Sequence, residues 1–117
     1  MAILDVQAGE RDGFAHLVLR GDLDLSTVPK VDEALRRIEE SRPPLIVLDL
    51  SGLSFLDSTG LRLVVTADQR AREGRRRLAV VRGSESVQRV FSITKLDEHL
   101  DMVDDVSAVD SAGTPEG

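Results

Sequence analysis

At 117 residues, with no cysteine and a net charge of −6, the chain is sized for one domain whose core needs neither disulfide nor metal. The acidic balance, the absence of Trp and Tyr and the presence of only three Phe argue against a phosphate-backbone clamp or a base-stacking platform, so no nucleic-acid partner is expected. His16 and His99 are too few for a zinc cluster, no apolar run approaches a membrane span, and the N-terminus lacks a basic-then-apolar leader; a cytoplasmic protein with no membrane contact, metal or cofactor is the expectation.

Residues Ile3 to Gln7 alternate weakly and Phe14 to Arg20 form a second strand, with Glu10-Arg11-Asp12-Gly13 as the hairpin turn between them. After Gly21 the chain reaches Ser26-Thr27, good helix caps, and Pro29 in a first turn where its missing N–H costs nothing. Val31, Ala34, Leu35 and Ile38 fall at helical spacing, which predicts an amphipathic helix from Val28 to Ser41, ended by Pro43-Pro44. Leu45 to Leu48 is apolar on both faces, as a central parallel strand is. A polar loop is expected next, then a helix that opens at Asp57-Ser58-Thr59-Gly60. That helix should bury Leu61, Val64, Val65, Ala67 and Ala71 and show Arg62, Thr66, Gln69, Arg70 and Glu73 to solvent, with Gly74 as its C-cap.

Leu78 to Val81 is a fourth strand, and Ser84 caps a helix carrying Val87, Val90 and Phe91. His99 to Val103 reads as a short last strand followed by a helical turn. Residues 1–110 make the domain, and Ser111 to Gly117 is a small-residue tail expected to be disordered. A hairpin followed by βα units specifies an α/β fold: a mixed sheet of four to five strands with helices packed against it.

A hydroxyl pair flanked by a carboxylate and a glycine thus sits at a helix N-terminus, where free N–H groups and the helix dipole favour a negative group such as a phosphate on Ser58. A serine there is ordinarily only a cap. Gly60, however, stands inside the first turn, where alanine would be better by about 1 kcal/mol. A residue that weakens the helix implies that another backbone or a ligand approaches closely.

The run Asp49-Leu50-Ser51-Gly52-Leu53-Ser54-Phe55-Leu56-Asp57-Ser58-Thr59-Gly60-Leu61, with Gly21-Asp22-Leu23-Asp24 upstream, resembles the STAS domain of bacterial anti-sigma factor antagonists, over roughly residues 3 to 108. The resemblance implies a partner-switching protein and not an enzyme. The unphosphorylated form would bind an anti-sigma factor that is itself a serine kinase, phosphorylation of Ser58 would eject it, and a metal-dependent serine phosphatase would reset it. Thr59 is the weaker acceptor. The Gly21–Asp24 turn would lie beside the phosphorylation loop, with Asp24 as a docking or phosphotransfer-assisting carboxylate and Asp22 as a weaker one. Asp24, on an exposed turn, is expected to matter little for stability. The implied partner-binding set is Asp22, Asp24, Ser26, Asp57, Ser58, Thr59, Gly60 and Arg62. STAS domains also serve in other regulatory or lipid-transport complexes, where the serine would be unused. The family commonly places glycine after the helix near residue 94; this chain reads Thr94-Lys95-Leu96, so a left-handed cap there would strain the lysine.

Rival chemistries fit less well. Asp22-Leu23-Asp24-Leu25-Ser26 nearly matches a haloacid-dehalogenase nucleophile loop, but Lys30 and Lys95 are the only lysines and the chain is short for that fold. A response-regulator receiver would use Asp49 at its strand end, yet only one helix and one strand separate Asp24 from Asp49. A serine hydrolase using Ser58 with His16 or His99 lacks the strained elbow such an enzyme needs. Arg70, Arg72, Arg75, Arg76 and Arg77 form the one basic cluster, read as a solvated helix end whose cations complement the dipole; contact with a partner or an acidic lipid is the sharper alternative.

Overall fold

The computed structural model describes residues 3–107, so the predicted tail at 111–117 lies outside the described residues. Strands β1 (Leu4–Arg11) and β2 (Phe14–Leu23) pair antiparallel around the two-residue turn Asp12-Gly13, where φ is +51° and +85°. Left-handed conformation at both turn residues matches the twist of the flanking strands, which is why Asp-Gly suits this position. Helix α1 (Val28–Glu40), strand β3 (Leu45–Leu56), helix α2 (Ser58–Glu73), strand β4 (Arg77–Val81), helix α3 (Glu85–Ile93), a 3₁₀ turn (Leu96–Glu98) and strand β5 (Asp101–Val103) follow. The sheet order is β1-β2-β3-β4-β5, parallel from β2 onward.

Leu17, Leu19, Ile46, Leu48, Leu50, Leu78 and Val80 point to one face and meet Val31 and Leu35 of α1, Val64 and Ala67 of α2, and Val87 and Phe91 of α3 in a single core. Successive strand residues face opposite sides, so Val47, Ala79 and Val81 form a smaller cluster with Phe14 on the other face. On α2 the buried stripe is Leu63, Val64, Ala67 and Ala71, while Leu61 and Val65 are half-buried. Arg70 is not a solvent-facing cation as expected. Its Nε and Nη2 donate to both carboxylate oxygens of Glu39 on α1 at 2.9–3.1 Å, a bidentate clamp between neighbouring helices.

The strands that carry the candidate site are longer than their apolar cores. β2 continues through Gly21 to Leu23, and β3 continues to Leu56, so the polar loop predicted after Leu48 is strand. The reason lies in the pairing: β4 matches β3 only from Leu45 to Asp49, and beyond that β3 pairs with β2 alone. A strand with one neighbour tolerates Ser51, Gly52 and Ser54, whose polarity imitates a loop. Gly21 (φ +115°) lets β1 approach, since a Cβ there would meet the Ile3 carbonyl oxygen at 2.3 Å. The left-handed strain foreseen at Lys95 is present, with φ of +61° at about 1–2 kcal/mol for a residue with a Cβ. Gly74 holds the C-cap of α2 with φ of −87°; the left-handed position falls one residue later, on Arg75 (φ +57°).

Candidate functional site

β2 and β3 deliver their C-terminal ends side by side, Asp22 opposite Phe55 and Leu23 opposite Leu56. The chain leaves β2 through Asp24–Thr27 and leaves β3 through Asp57 alone, so two turns share one corner of the sheet. Asp57 joins them. Its Oδ1 accepts from the Thr59 amide at 2.9 Å, the Gly60 amide at 3.0 Å and the Thr59 hydroxyl at 2.5 Å. Its Oδ2 accepts from the Leu25 amide at 3.3 Å, and its own amide donates to the Leu23 carbonyl at 3.2 Å. The N-cap of α2 is therefore Asp57 and not Ser58, and the Thr59 and Gly60 amides, expected to be free for a phosphate, are already bonded.

Ser58 sits at the first helical position, exposed, with its hydroxyl outside the cap. Thr59 is half-buried and its hydroxyl is committed to Asp57. Arg62 is exposed one helical turn from Ser58 on the same face. Gly60 is buried: a Cβ there would lie 2.7 Å from Leu56 Cδ1 and 2.8 Å from both Cγ and the carbonyl oxygen of Leu23. The close approach inferred from its position is thus made by the protein's own β2 and β3. Gly60 shapes the corner from beneath and offers no surface to a partner.

Asp24 is more than an exposed acid on a turn. Its Oδ1 accepts from the Ser26 hydroxyl at 2.7 Å, the Ser26 amide at 2.9 Å and the Thr27 amide at 3.2 Å, which closes the turn into α1. The Thr27 hydroxyl donates to the Asp22 carbonyl at 2.8 Å and accepts from the Asp24 amide at 2.9 Å. A structural share in Asp24 replaces the expectation that its removal would cost little. Asp22 is half-buried within β2 and not on the turn.

The Ser26 hydroxyl, followed by the Ser26 and Thr27 amides, holds the Asp24 carboxyl below the ordinary carboxylate range against desolvation and the lesser repulsion of Asp57. The Thr59 hydroxyl, then the amides of Gly60, Leu25 and Thr59, do the same for Asp57. Both are ionised at neutral pH. The corner also carries two apolar side chains that sequence reasoning passed over, Leu25 at 72% and Phe55 at 50% exposure. They line a shallow depression with Asp24, Ser26 and Asp57. The available signal was an apolar residue placed where a polar turn or loop had been read.

Asp49 accepts from the Ser51 amide and hydroxyl at 2.9 and 2.7 Å, and His16 lies mid-strand opposite Gly9. Among the described residues, no group of three or more His, Cys, Asp and Glu is arranged to hold a metal ion, and no helix is long and apolar enough to cross a membrane.

The family model of the STAS domain matches residues 5–113. The anti-sigma-B factor antagonist of Staphylococcus aureus is 30% identical over 95 residues, covering 81% of this chain and 88% of that protein. Among solved structures, an anti-sigma factor antagonist from Mycobacterium paratuberculosis superposes with a TM-score of 0.85 at 22% identity, covering 94% of this chain and 93% of that one. The anti-sigma factor antagonist SpoIIAA, a Bacillus cell fate determinant, superposes with TM-scores of 0.79 in its unphosphorylated form (20% identity; 97% and 100% covered) and 0.71 in its phosphorylated form (21% identity; 92% and 99% covered). The chain belongs to the STAS domain family and, within it, to the anti-sigma factor antagonists.

Proposed function

We propose that this protein is a non-catalytic partner switch that docks on an anti-sigma factor serine kinase through the Asp24–Ser58 corner and is released when Ser58 is phosphorylated. The observation that carries the reading is the division of labour at the start of α2: Asp57 caps the helix, which leaves the exposed Ser58 hydroxyl available. In the reaction, Ser58 Oγ forms a bond to the γ-phosphorus of ATP held by the kinase. The bond from that phosphorus to the β–γ bridging oxygen breaks, ADP leaves, and the hydroxyl proton passes to a base on the kinase or to water.

Leu25 and Phe55 give the docking face an apolar anchor, and Asp22, Asp24 and Asp57 surround it with negative charge that suits a cationic partner surface. Ser26 and Arg62 complete the rim, while Thr59 and Gly60 hold the corner in shape. A phosphate on Ser58 adds roughly −1.5 to −2 charges at the centre of this face. Desolvating that charge against a surface shaped for a neutral hydroxyl costs about 2–5 kcal/mol, on the order of 30-fold to several thousand-fold in affinity. A serine phosphatase would restore the binding form.

The test is incubation with the kinase and ATP followed by peptide mass spectrometry. One phosphate, on Ser58, is expected; phosphate chiefly on Thr59 or Ser54 would overturn the assignment. A stable complex with no phosphorylation at all would favour a STAS subunit of another regulatory or lipid-transport assembly.

A further inference from the structure

The basic segment at the end of α2 divides once its partners are known. Arg70, Arg72 and Arg77 are paired with Glu39, Asp68 and Asp101. Arg75 and Arg76 have no carboxylate partner among the described residues, and Arg42, at the end of α1, has none either. In a chain where acids outnumber bases by 21 to 15, unpaired arginines are not enforced by a shortage of acids. These three nevertheless line one open depression of about 610 Å³, with Glu39, Pro44 and Gly74. Glu39 is already neutralised by the bidentate Arg70, so the depression carries close to three uncompensated positive charges.

Two backbone facts point the same way. Arg42 (φ +51°) and Arg75 (φ +57°) both occupy the left-handed position just past a helix end, where glycine fits with least strain. Complementing a helix dipole does not require this, because Arg37 and Arg70 or Arg72 already stand in the last turns of α1 and α2. The third arginine stacks on the backbone: a Cβ on Gly74 would meet Arg76 Cζ, Nε and Nη2 each at 3.2 Å, so the guanidinium lies flat on the glycine. Its Nε is buried with no hydrogen-bond acceptor among the described residues. Planar forks presented by three arginines match tetrahedral oxyanions of more than one charge better than a single carboxylate, which one arginine would satisfy.

We propose that Arg42, Arg75 and Arg76 form a second binding site, for a phosphoryl group carrying at least two negative charges. It stands at the opposite end of α2 from Ser58, about 24 Å away for a 16-residue helix, and does not depend on the switch reading. The group can belong to a free phosphate compound or to the headgroup of an anionic lipid.

Amide and arginine Nε–H spectra of the full chain, titrated with inorganic pyrophosphate against sodium chloride of equal ionic strength, test it. Vesicles containing phosphatidic acid form a parallel arm. Saturable shifts at residues 42, 75 and 76 are expected in at least one arm. Pyrophosphate alone producing them identifies a free anion, and vesicles alone identify a headgroup. Arg76→Gln should weaken binding roughly tenfold or more, and Arg76→Lys, which keeps the charge but loses the fork, should weaken it several-fold. Shifts no larger than those from chloride in both arms, shifts shared equally with Arg20, Arg62 and Arg89, which have no carboxylate partner among the described residues, or full retention of binding in Arg76→Lys would each overturn the site.

Discussion

Replacing Gly60 by alanine separates helix propensity from the packing that builds the corner. In an unconstrained helix the change would stabilise the protein by about 1 kcal/mol. Here the new methyl would fall 2.7 Å from Leu56 Cδ1 and 2.8 Å from the Leu23 Cγ and carbonyl oxygen. Leu23 is fully buried and Leu56 nearly so, which leaves their side chains little room to turn. The carbonyl is fixed as well, because it accepts from the Asp57 amide. Overpacking of this kind costs typically 1–3 kcal/mol, and a backbone obstacle puts this site at the upper end. The net expectation is destabilisation by about 1–2 kcal/mol, a fall in Tm of roughly 3–12 °C for a domain of this size. Gly74→Ala, at the other end of the same helix, is the control. Its φ of −87° suits alanine and its neighbour is the tip of Arg76, so Tm should hold or rise. Thermal melts by circular dichroism read both variants; Gly60→Ala melting as high as Gly74→Ala would refute the packing argument.

Asp57→Ala removes the N-cap and the tie to Leu25, and should cost about 1–2 kcal/mol in urea unfolding with the slope unchanged. Because Asp57 and Asp24 have folded-state values depressed below the ordinary 3.8, their contribution is present above that value and lost as pH falls through the lower folded values. Unfolding curves between pH 5 and pH 2 should show stability falling below about pH 4, and Asp57→Asn should flatten that fall. Asp24→Asn keeps an acceptor for Ser26 and Thr27 and should fold normally while slowing phosphorylation, whereas Asp24→Ala should also lower the Tm by opening the turn. Lys95→Gly relieves a left-handed lysine at φ +61°, and after the entropy of the added glycine should stabilise by about 0.5–1 kcal/mol in the same unfolding assay. Phosphorylated protein should melt only slightly below the unmodified form, by about 1 kcal/mol or less, because the phosphate meets Asp57 and Asp24 across solvent. A collapsed transition would point to rearrangement in place of surface electrostatics.

Much of this architecture can be read from periodicity and punctuation. Val28 to Ser41 was expected as a helix and Val28–Glu40 is one; Leu78 to Val81 lies in β4, and the Asp12-Gly13 turn falls where the dipeptide demands. The misreadings share a cause, which is that partners are not visible in a local pattern. The outer half of β3 reads as a loop because its residues answer to one neighbouring strand instead of two. Arg70 reads as solvent-facing because Glu39 is 31 positions away, and Leu25 and Phe55 become neighbours in one depression only when β2 and β3 end together. The cap was ambiguous on local grounds, since Asp57 and Ser58 are both good capping residues. The choice is settled by the Leu25 amide, which a carboxylate at 57 reaches while also holding Thr59 and Gly60.

That choice bears on how a switch can be built here. Were Ser58 the cap, its hydroxyl would bond to a backbone amide, and phosphorylation would rework the first turn of α2. With Asp57 as the cap, the groups that hold α2 against β2 and α1 are separate from the group open to modification. A charge added to Ser58 then changes what the surface offers a partner without removing a bond that the fold uses. The arrangement also keeps two ionised carboxylates beside Ser58, and Arg62 one turn along the same face is the cation nearest in sequence on α2, so a phosphate there would be offset only in part within the protein. On the proposed switch reading, a phosphate on Ser58 would change the affinity of the corner while the domain beneath it stays the same, which is the property that reversible partner exchange requires.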